Sequence, residues 1–128
     1  MKKFILPVLI VFFSLCIMDF IVNGIILVGL YKQLVTILRP VSEMSLLLIY
    51  AANIVHSFVL VGIYNMFSNK GPRVGLLFGV LYGLSYGFGI GFGTYTMFPI
   101  TAHIAIAWII SGIVEFGIAG LILGYLKK

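Results

Sequence analysis

Four long apolar stretches occupy nearly the whole chain, with short polar or bent connections between them. The stretches run over about residues 4–30, 44–66, 74–97 and 102–126. Each is at or above the ~20 residues that an α-helix needs to cross a hydrocarbon core of about 30 Å. The pattern therefore predicts an all-α membrane protein in which a four transmembrane helix bundle forms a single domain over residues 1–128.

The connections contain residues that stop and start helices. Pro40 prevents the first helix from continuing, and Ser42 is placed to cap the second helix. Pro99 stands just before the fourth stretch, and a helix tolerates proline in its first turn. We therefore expect a cap at Ser42 and a first helical turn at Pro99.

The composition agrees with a membrane environment. Hydrophobic residues make up 62% of the chain and charged residues only 9%, which argues against a water-soluble domain. Cys16 is the single cysteine, so no disulfide framework is possible within one chain. The net charge of +5 fits basic residues that flank membrane spans, and we expect the lipid bilayer rather than nucleic acid as the partner.

The basic residues also predict an orientation. Six of them fall on one side of the four spans and two on the other. The six are Lys2, Lys3, Lys70, Arg73, Lys127 and Lys128, and the two are Lys32 and Arg39. The positive-inside rule then predicts a multi-pass protein of the bacterial inner (plasma) membrane with both termini in the cytoplasm. Because Leu15 rather than a small residue precedes Cys16, we expect an uncleaved first helix.

Glycines recur every four residues along the third stretch, and the fourth stretch carries a matching set. The candidate packing positions are Gly75, Gly79, Gly83, Gly87, Gly91, Gly120 and Gly124. Small residues at this spacing let a neighbouring backbone approach closely, as in a glycine zipper. Each step of four residues turns a helix by about 40° beyond a full turn. We therefore expect the glycines to serve two neighbours, of which one is another helix of the chain or a second subunit, and we expect an oligomer.

An alternative for the end of the third stretch is a broken helix with exposed backbone. Four glycines fall between Gly87 and Gly93, and each disfavours a helix interior by about 1 kcal/mol. The segment from Gly87 to Thr96 resembles, over about twelve residues, the glycine-rich third helix of small fluoride channels. The first stretch lacks that family's Gly and Arg pattern.

Polar residues gather at one predicted depth. Asp19, His56 and Glu115 each lie within about 5 Å of the middle of a different span. Further polar residues near the same level are Asn23, Asn53, Tyr82, Ser85, Tyr86 and Ser111. A carboxylate at the centre of a transmembrane helix costs on the order of 2.5–3.5 kcal/mol, and such residues usually mark sites. The layer is therefore the candidate binding site for a proton, a small cation or a small solute.

Two other roles for this layer stay open. Asp19 and Glu115 could be hydrogen-bonded to neighbours and only fix helix packing. A metal site of Asp19, His56 and Glu115 is chemically possible, although no motif spacing supports it. We expect no cofactor, because His103 lies about 18 Å from the level of Glu115 and therefore cannot hold haem together with His56.

The remaining aromatic residues do not indicate chemistry. Trp108 and four tyrosines lie mostly near the ends of the spans, where amphipathic rings anchor a protein at the membrane surface. The four are Tyr31, Tyr64, Tyr95 and Tyr125. No nucleophilic triad, phosphate-binding loop or zinc spacing is present in the sequence, so we expect no enzyme.

Several segments resemble uncharacterised small bacterial four-helix inner-membrane proteins. The resemblance rests on Met18-Asp19-Phe20, on the Arg39-Pro40 turn, on the glycine-rich third stretch and on the segment from Ala107 to Gly112. It implies the fold and the location and no activity. Two functions follow as hypotheses: a proton- or cation-linked transporter or channel with a polar site at the bilayer midplane, or a non-transporting accessory or assembly subunit that packs against partner helices through its glycine-rich faces.

Overall fold

The computed structural model describes residues 2–127, apart from the side chain of Val41, and this part of the chain is helical with no strands. The helices are α1 (Lys2–Ile21), α2 (Val28–Tyr31), α3 (Leu46–Asn65), α4 (Pro72–Met97) and α5 (Ala102–Leu126). A π-helical turn, Val22–Ile26, extends α1, and short 3₁₀ turns lie at Lys32–Leu34 and Val41–Glu43.

Four of the helices are long and apolar enough to cross a membrane: Lys2–Ile26, Leu46–Asn65, Pro72–Met97 and Ala102–Leu126. This confirms the prediction of an all-α chain with four membrane-length helices. Lys127 Nζ donates a 2.8 Å hydrogen bond to the carbonyl oxygen of Lys3, so the beginning of α1 and the end of α5 lie at one end of the bundle.

Both predicted helix starts are displaced. Ser45, not Ser42, caps α3 by accepting a hydrogen bond from the Leu48 N–H, because the residues after Pro40 form a separate 3₁₀ turn. The cap of α5 is Thr101, whose hydroxyl accepts from the Ile104 N–H. Pro99 therefore lies in the connection before the helix rather than in its first turn.

Helices α4 and α5 form an antiparallel hairpin in which backbone touches backbone. Added Cβ atoms at Gly75, Gly79 and Gly83 would lie only 2.0–2.1 Å from carbonyl oxygens of α5. Those oxygens belong to Gly120, Phe116 and Gly112, respectively. A Cβ atom essentially never approaches another heavy atom within 3.0 Å, so these three positions admit no side chain in this arrangement.

The glycines serve one neighbour, and the expectation of two neighbours is wrong. Gly87 and Gly91 also face α5, where added Cβ atoms would lie 2.8 Å from Ile109 Cα and 2.6 Å from the Ala105 carbonyl oxygen. A stripe that repeats every four residues drifts around a straight helix of 3.6 residues per turn. It stays on one partner when the two helices wind around each other in the right-handed sense.

Helix α4 is continuous to Met97, so the alternative of a broken helix between Gly87 and Gly93 is wrong. The glycines of this segment divide between two faces. Gly87 and Gly91 contact α5, whereas Gly89 and Gly93 have no atom within 4 Å of an added Cβ. Close packing of one face against α5 holds the helix together where glycine alone would weaken it.

The turn between α3 and α4 is fastened by a buried tyrosine. Tyr64 is fully buried, and its hydroxyl accepts from the Gly71 N–H at 3.0 Å and donates to the Gly71 carbonyl at 3.1 Å. Gly71 has φ +138°, a conformation that side-chain-bearing residues rarely adopt. Tyr64 is therefore a core residue, and its expected role as a surface anchor is wrong.

An apolar core fills the half of the bundle that contains the chain ends. It combines residues of α1, α3 and α5: Val8, Val11, Leu15, Leu60, Val61, Tyr64, Phe116, Ala119 and Leu123. Toward the other end, residues 46–52 of α3 are exposed on every face of the helix, and Tyr50 keeps a ring contact with Phe12 of α1. A second, smaller apolar cluster of Leu34, Ile100, Ile104 and Ala105 lies at the opposite end, beside the connection between α4 and α5.

We predict that Gly83→Ala lowers the free energy of unfolding by about 1–3 kcal/mol, the usual effect of overpacking a tight contact. The methyl group would meet the Gly112 carbonyl and force α4 and α5 apart. Gly89→Ala is the matched control, because it lies in the same helix interior and faces open space. Unfolding in detergent, followed through the fluorescence of the single tryptophan, checks this, and equal stability of the two variants would contradict it.

Candidate functional site

Two carboxyl groups meet in the middle of the bundle. Asp19 from α1 and Glu115 from α5 line the same cavity and interact electrostatically, and Glu115 is only 7% exposed. Two ionised carboxylates that lie close together away from water repel each other, which favours a proton on one of the two groups. The arrangement can therefore hold one proton between two acids.

An asparagine of α3 holds the aspartate in place. Asn53 Nδ2 donates a 2.7 Å hydrogen bond to Asp19 Oδ2 and lies 3.7 Å from Cys16 Sγ. The Asn53 side chain is buried, and the hydroxyl of Ser57 one turn later donates to the Asn53 carbonyl at 2.7 Å. Helices α1, α3 and α5 thus all contribute to the position of the carboxyl pair.

The carboxyl pair lies at one end of a partly open cavity of about 310 Å³. Most of its lining residues are polar or aromatic, and they come from α1, the π-helical turn, α2, α4 and α5. The lining consists of Asp19, Asn23, Tyr31, Tyr86, Ile90, Thr94, Trp108, Ser111, Gly112 and Glu115. From Glu115 to Trp108 is seven residues of α5, so the cavity extends about 10 Å from the acids toward the end of the bundle away from the chain ends.

A chain of hydrogen bonds lines the far part of the cavity. Trp108 Nε1 donates to the Tyr31 hydroxyl at 2.8 Å, and that hydroxyl donates to Asn23 Oδ1. Ser111 Oγ donates to the Trp108 carbonyl at 3.0 Å. Burial raises the pKa of Tyr31, which keeps the phenol neutral and able to donate. Tyr31 and Trp108 are thus cavity residues, and their expected role as surface anchors is wrong.

The π-helical turn at Val22–Ile26 contributes to this geometry. A turn of this kind inserts a residue into an α-helix, rotates the side chains that follow, and is frequent at functional sites. Asp19 lies just before the turn and Asn23 within it, and both line the cavity. The turn and α2 together bring Tyr31 back against Trp108, with their ring centres 6.5 Å apart.

His56 occupies an aromatic pocket beside the cavity. Its Nδ1 shares a 3.0 Å hydrogen bond with the Tyr82 hydroxyl, in which the imidazole tautomer decides the donor. The rings of Tyr86 and Phe116 meet the imidazole edge to face, with centres 4.9 Å and 5.2 Å away. Because Tyr86 also lines the cavity, its ring lies between the cavity and His56.

The predicted polar layer therefore divides into three groups. Asp19, Asn53 and Glu115 meet; His56 joins Tyr82 and Tyr86; Asn23 and Ser111 belong to the chain around Tyr31 and Trp108. Ser85 lies apart, exposed on α4 and outside the cavity lining. Within residues 2–127, no group of three or more His, Cys, Asp and Glu side chains is placed to hold a metal ion, so Asp19, His56 and Glu115 do not form a metal site.

Sequence reasoning missed several cavity residues that helical spacing could have indicated. Trp108 lies seven residues before Glu115, which puts both on one face of α5. Ile90 and Thr94 follow Tyr86 at intervals of four on α4 in the same way. Tyr31 carried no such signal, because the chain bends between Asn23 and Tyr31.

Comparisons of the chain with models of protein families, with curated proteins and with solved structures found no match.

We predict that Tyr31→Phe lowers the free energy of unfolding by about 0.6–2 kcal/mol and changes the emission of Trp108, because both Trp108 and Asn23 lose a hydrogen-bond partner. Tyr95→Phe is the control: Tyr95 is exposed, and its ring contact with Phe92 survives the change. Detergent unfolding and fluorescence spectra check this. Indistinguishable spectra and stabilities for Tyr31→Phe and the unaltered protein would contradict it.

Proposed function

We propose that the protein is a small integral membrane transporter or channel that is linked to a proton or another small cation, and that Asp19 and Glu115 form its ion site. The supporting observation is that the two acids come from different helices and line one cavity together with several hydrogen-bonding side chains. Acids at membrane depth that face a cavity are typical of ion and proton pathways.

A shared proton suits this role. With one proton bound, the pair carries a single negative charge. When a cation replaces that proton, both carboxylates are ionised, and the positive charge of the cation compensates the repulsion between them. Asn53 donates to Asp19 in either state and so keeps the carboxyl group oriented. Exchange of a proton for a cation, or of a proton with water in the cavity, is the chemistry that the arrangement supports best.

The cavity lies on one side of the acids. It extends from the acids toward the α4–α5 connection, whereas apolar residues such as Leu15, Leu60 and Leu123 fill the half that contains the chain ends. With both termini in the cytoplasm of a bacterial cell, as the positive-inside rule predicts, the cavity lies between the acids and the outer face of the inner membrane, and the apolar cluster around Leu34 and Ile104 lies beyond it. Passage across the membrane then requires that the apolar contacts on the two sides of the acids open in turn.

The size of the cavity limits what it can accept. At about 310 Å³ it lies at the lower end of the range for small-molecule sites. Hydrogen-bonding groups of Asn23, Tyr31, Thr94 and Ser111 surround this space, and no lysine or arginine is among the lining residues. A hydrated proton, a monovalent cation or a small neutral or cationic solute fits this space and this charge better than an anion does.

We predict that Asp19→Asn and Glu115→Gln each abolish proton or cation flux into liposomes that contain a pH-sensitive dye and are driven by an imposed ion gradient. Each change removes the group that binds the ion while nearly preserving the side-chain shape. Glu43→Gln is the control, because Glu43 is the third acid of the chain and lies in the exposed turn before α3.

The emission of Trp108 shows whether each variant remains folded, since this tryptophan lies on the same cavity. Flux that is absent from the unaltered protein, or that persists in both folded variants, would overturn the proposed transport function.

A second candidate function is that of an assembly subunit. The glycines that face α5 are buried within the chain and are not accessible to a partner, but Ser85, Gly89 and Gly93 form a separate exposed stripe on α4. Small residues at intervals of four favour close approach of another transmembrane helix. On this hypothesis a second copy of the chain or a partner membrane subunit packs on this stripe.

We predict for this second function that Gly89→Leu shifts the protein to a smaller assembly, because a bulky side chain prevents a neighbouring helix from approaching the stripe. Leu81→Phe is the control, since Leu81 is also exposed on α4 but already carries a large side chain. Mass measurement in detergent or in nanodiscs checks this. An identical mass for the unaltered protein and Gly89→Leu would argue against assembly through this stripe.

A further inference from the structure

A second cavity, of about 540 Å³, lies at the end of the bundle where the chain begins and ends. It forms where the start of α1, the turn between α3 and α4, and the end of α5 come together. Four lysines from these three segments line it: Lys2, Lys3, Lys70 and Lys127. None of its lining residues is acidic.

The ammonium groups are held in place by backbone carbonyls. Lys127 Nζ donates to the Lys3 carbonyl at 2.8 Å, and Lys70 Nζ donates to the carbonyls of Asn65 and Phe67. These bonds bring positive charges from separate segments together, and none of the described residues that line the cavity carries a negative charge. Burial and the positive charges of Lys70 and Lys3 lower the pKa of Lys127, which indicates that the ammonium groups repel one another. A bound anion would relieve this repulsion.

Apolar residues continue the cavity toward the membrane interior. Leu6, Ile10 and Leu126 are among its lining residues, and Leu6 is 59% exposed on the outer surface of α1. The four lysines form a charged rim, and the three apolar residues form a strip beside it. This combination matches an amphiphile, whose phosphate contacts the lysines and whose acyl chain follows the apolar strip. A free phosphate ion would use only the rim.

We propose that this cavity binds the phosphate headgroup of an anionic phospholipid. Basic pockets between transmembrane helices at the membrane surface are a recognised form of lipid site, and each lysine near an anionic surface strengthens binding about fivefold. This site is separate from the carboxyl pair, so it does not depend on the proposed transport function.

The test uses the full-length protein in nanodiscs of phosphatidylcholine that contain a minor fraction of phosphatidylglycerol. Lipid that remains bound after release into the gas phase is counted by native mass spectrometry. The unaltered protein should retain phosphatidylglycerol in excess of its share of the bilayer. A double variant, Lys70→Gln with Lys127→Gln, should bind it about thirtyfold more weakly, since two lysines are lost.

Two further variants distinguish lipid binding in this cavity from non-specific electrostatic attraction of the lipid to the protein. Lys32→Gln with Arg39→Gln removes the same charge near the opposite end of the bundle and should leave retention unchanged. Lys70→Arg with Lys127→Arg keeps both charges and should retain the lipid, which also shows that the positions tolerate substitution. Equal losses in the Lys70/Lys127 and Lys32/Arg39 glutamine variants, or no loss in either, would overturn the proposal.

Inorganic phosphate, added to the protein in neutral detergent, distinguishes a lipid headgroup from a free ion. The proposal expects phosphate to displace phosphatidylglycerol weakly, because phosphate cannot use the apolar strip beside Leu6. Complete displacement at concentrations similar to that of the lipid would show a free-anion site instead and would overturn the lipid assignment.

Discussion

The direct contact of backbone with backbone between α4 and α5 is the constraint on which the other packing depends. Five glycines of α4 leave no space for a side chain against α5, so the two helices lie closer together than any other pair in the bundle. Many weak contacts add up over such a length, and lipid cannot compete for a surface without side chains. The hairpin is therefore a fixed unit, and α1 and α3 pack against it through side chains.

Much of the fold could be predicted from the sequence because long apolar runs have few possible structures in a membrane. The helix starts were harder, since Ser42 and Ser45 are equally good caps and only the turn after Pro40 decides between them. The candidate site could likewise be predicted only in part. Counting residues along each span gave the depth of Asp19 and Glu115, but the rotation of a helix decides which side chains meet, and the π-helical turn after Asp19 changes that rotation.

The polar side chains are concentrated between the hairpin and the other two long helices. Asp19 reaches Glu115, His56 reaches Tyr82, and Tyr31 accepts from Trp108, so each contact joins the α1–α3 side of the bundle to α4 or α5. Asn53 and Asp19 instead join α1 to α3. Interhelical hydrogen bonds in membranes contribute only about 0.6 kcal/mol on average, far less than close packing over a whole helix length. The two sides are also packed through the apolar core of α1, α3 and α5, and the hydrogen bonds between them are contacts that can be exchanged.

The difference between these two kinds of contact determines which conformational change costs the least free energy. Separation of α4 from α5 would expose a long strip of glycine backbone to lipid, whereas movement of α1 and α3 against the hairpin shifts apolar side chains of the core and exchanges a few hydrogen bonds and aromatic contacts. Such a movement would act directly on the carboxyl pair, because Asp19 lies on one side of the interface and Glu115 on the other. If the two acids share a proton, as the proposed function requires, their separation removes one of its two acceptors, and the protonation of the pair is then coupled to the relative position of the two sides.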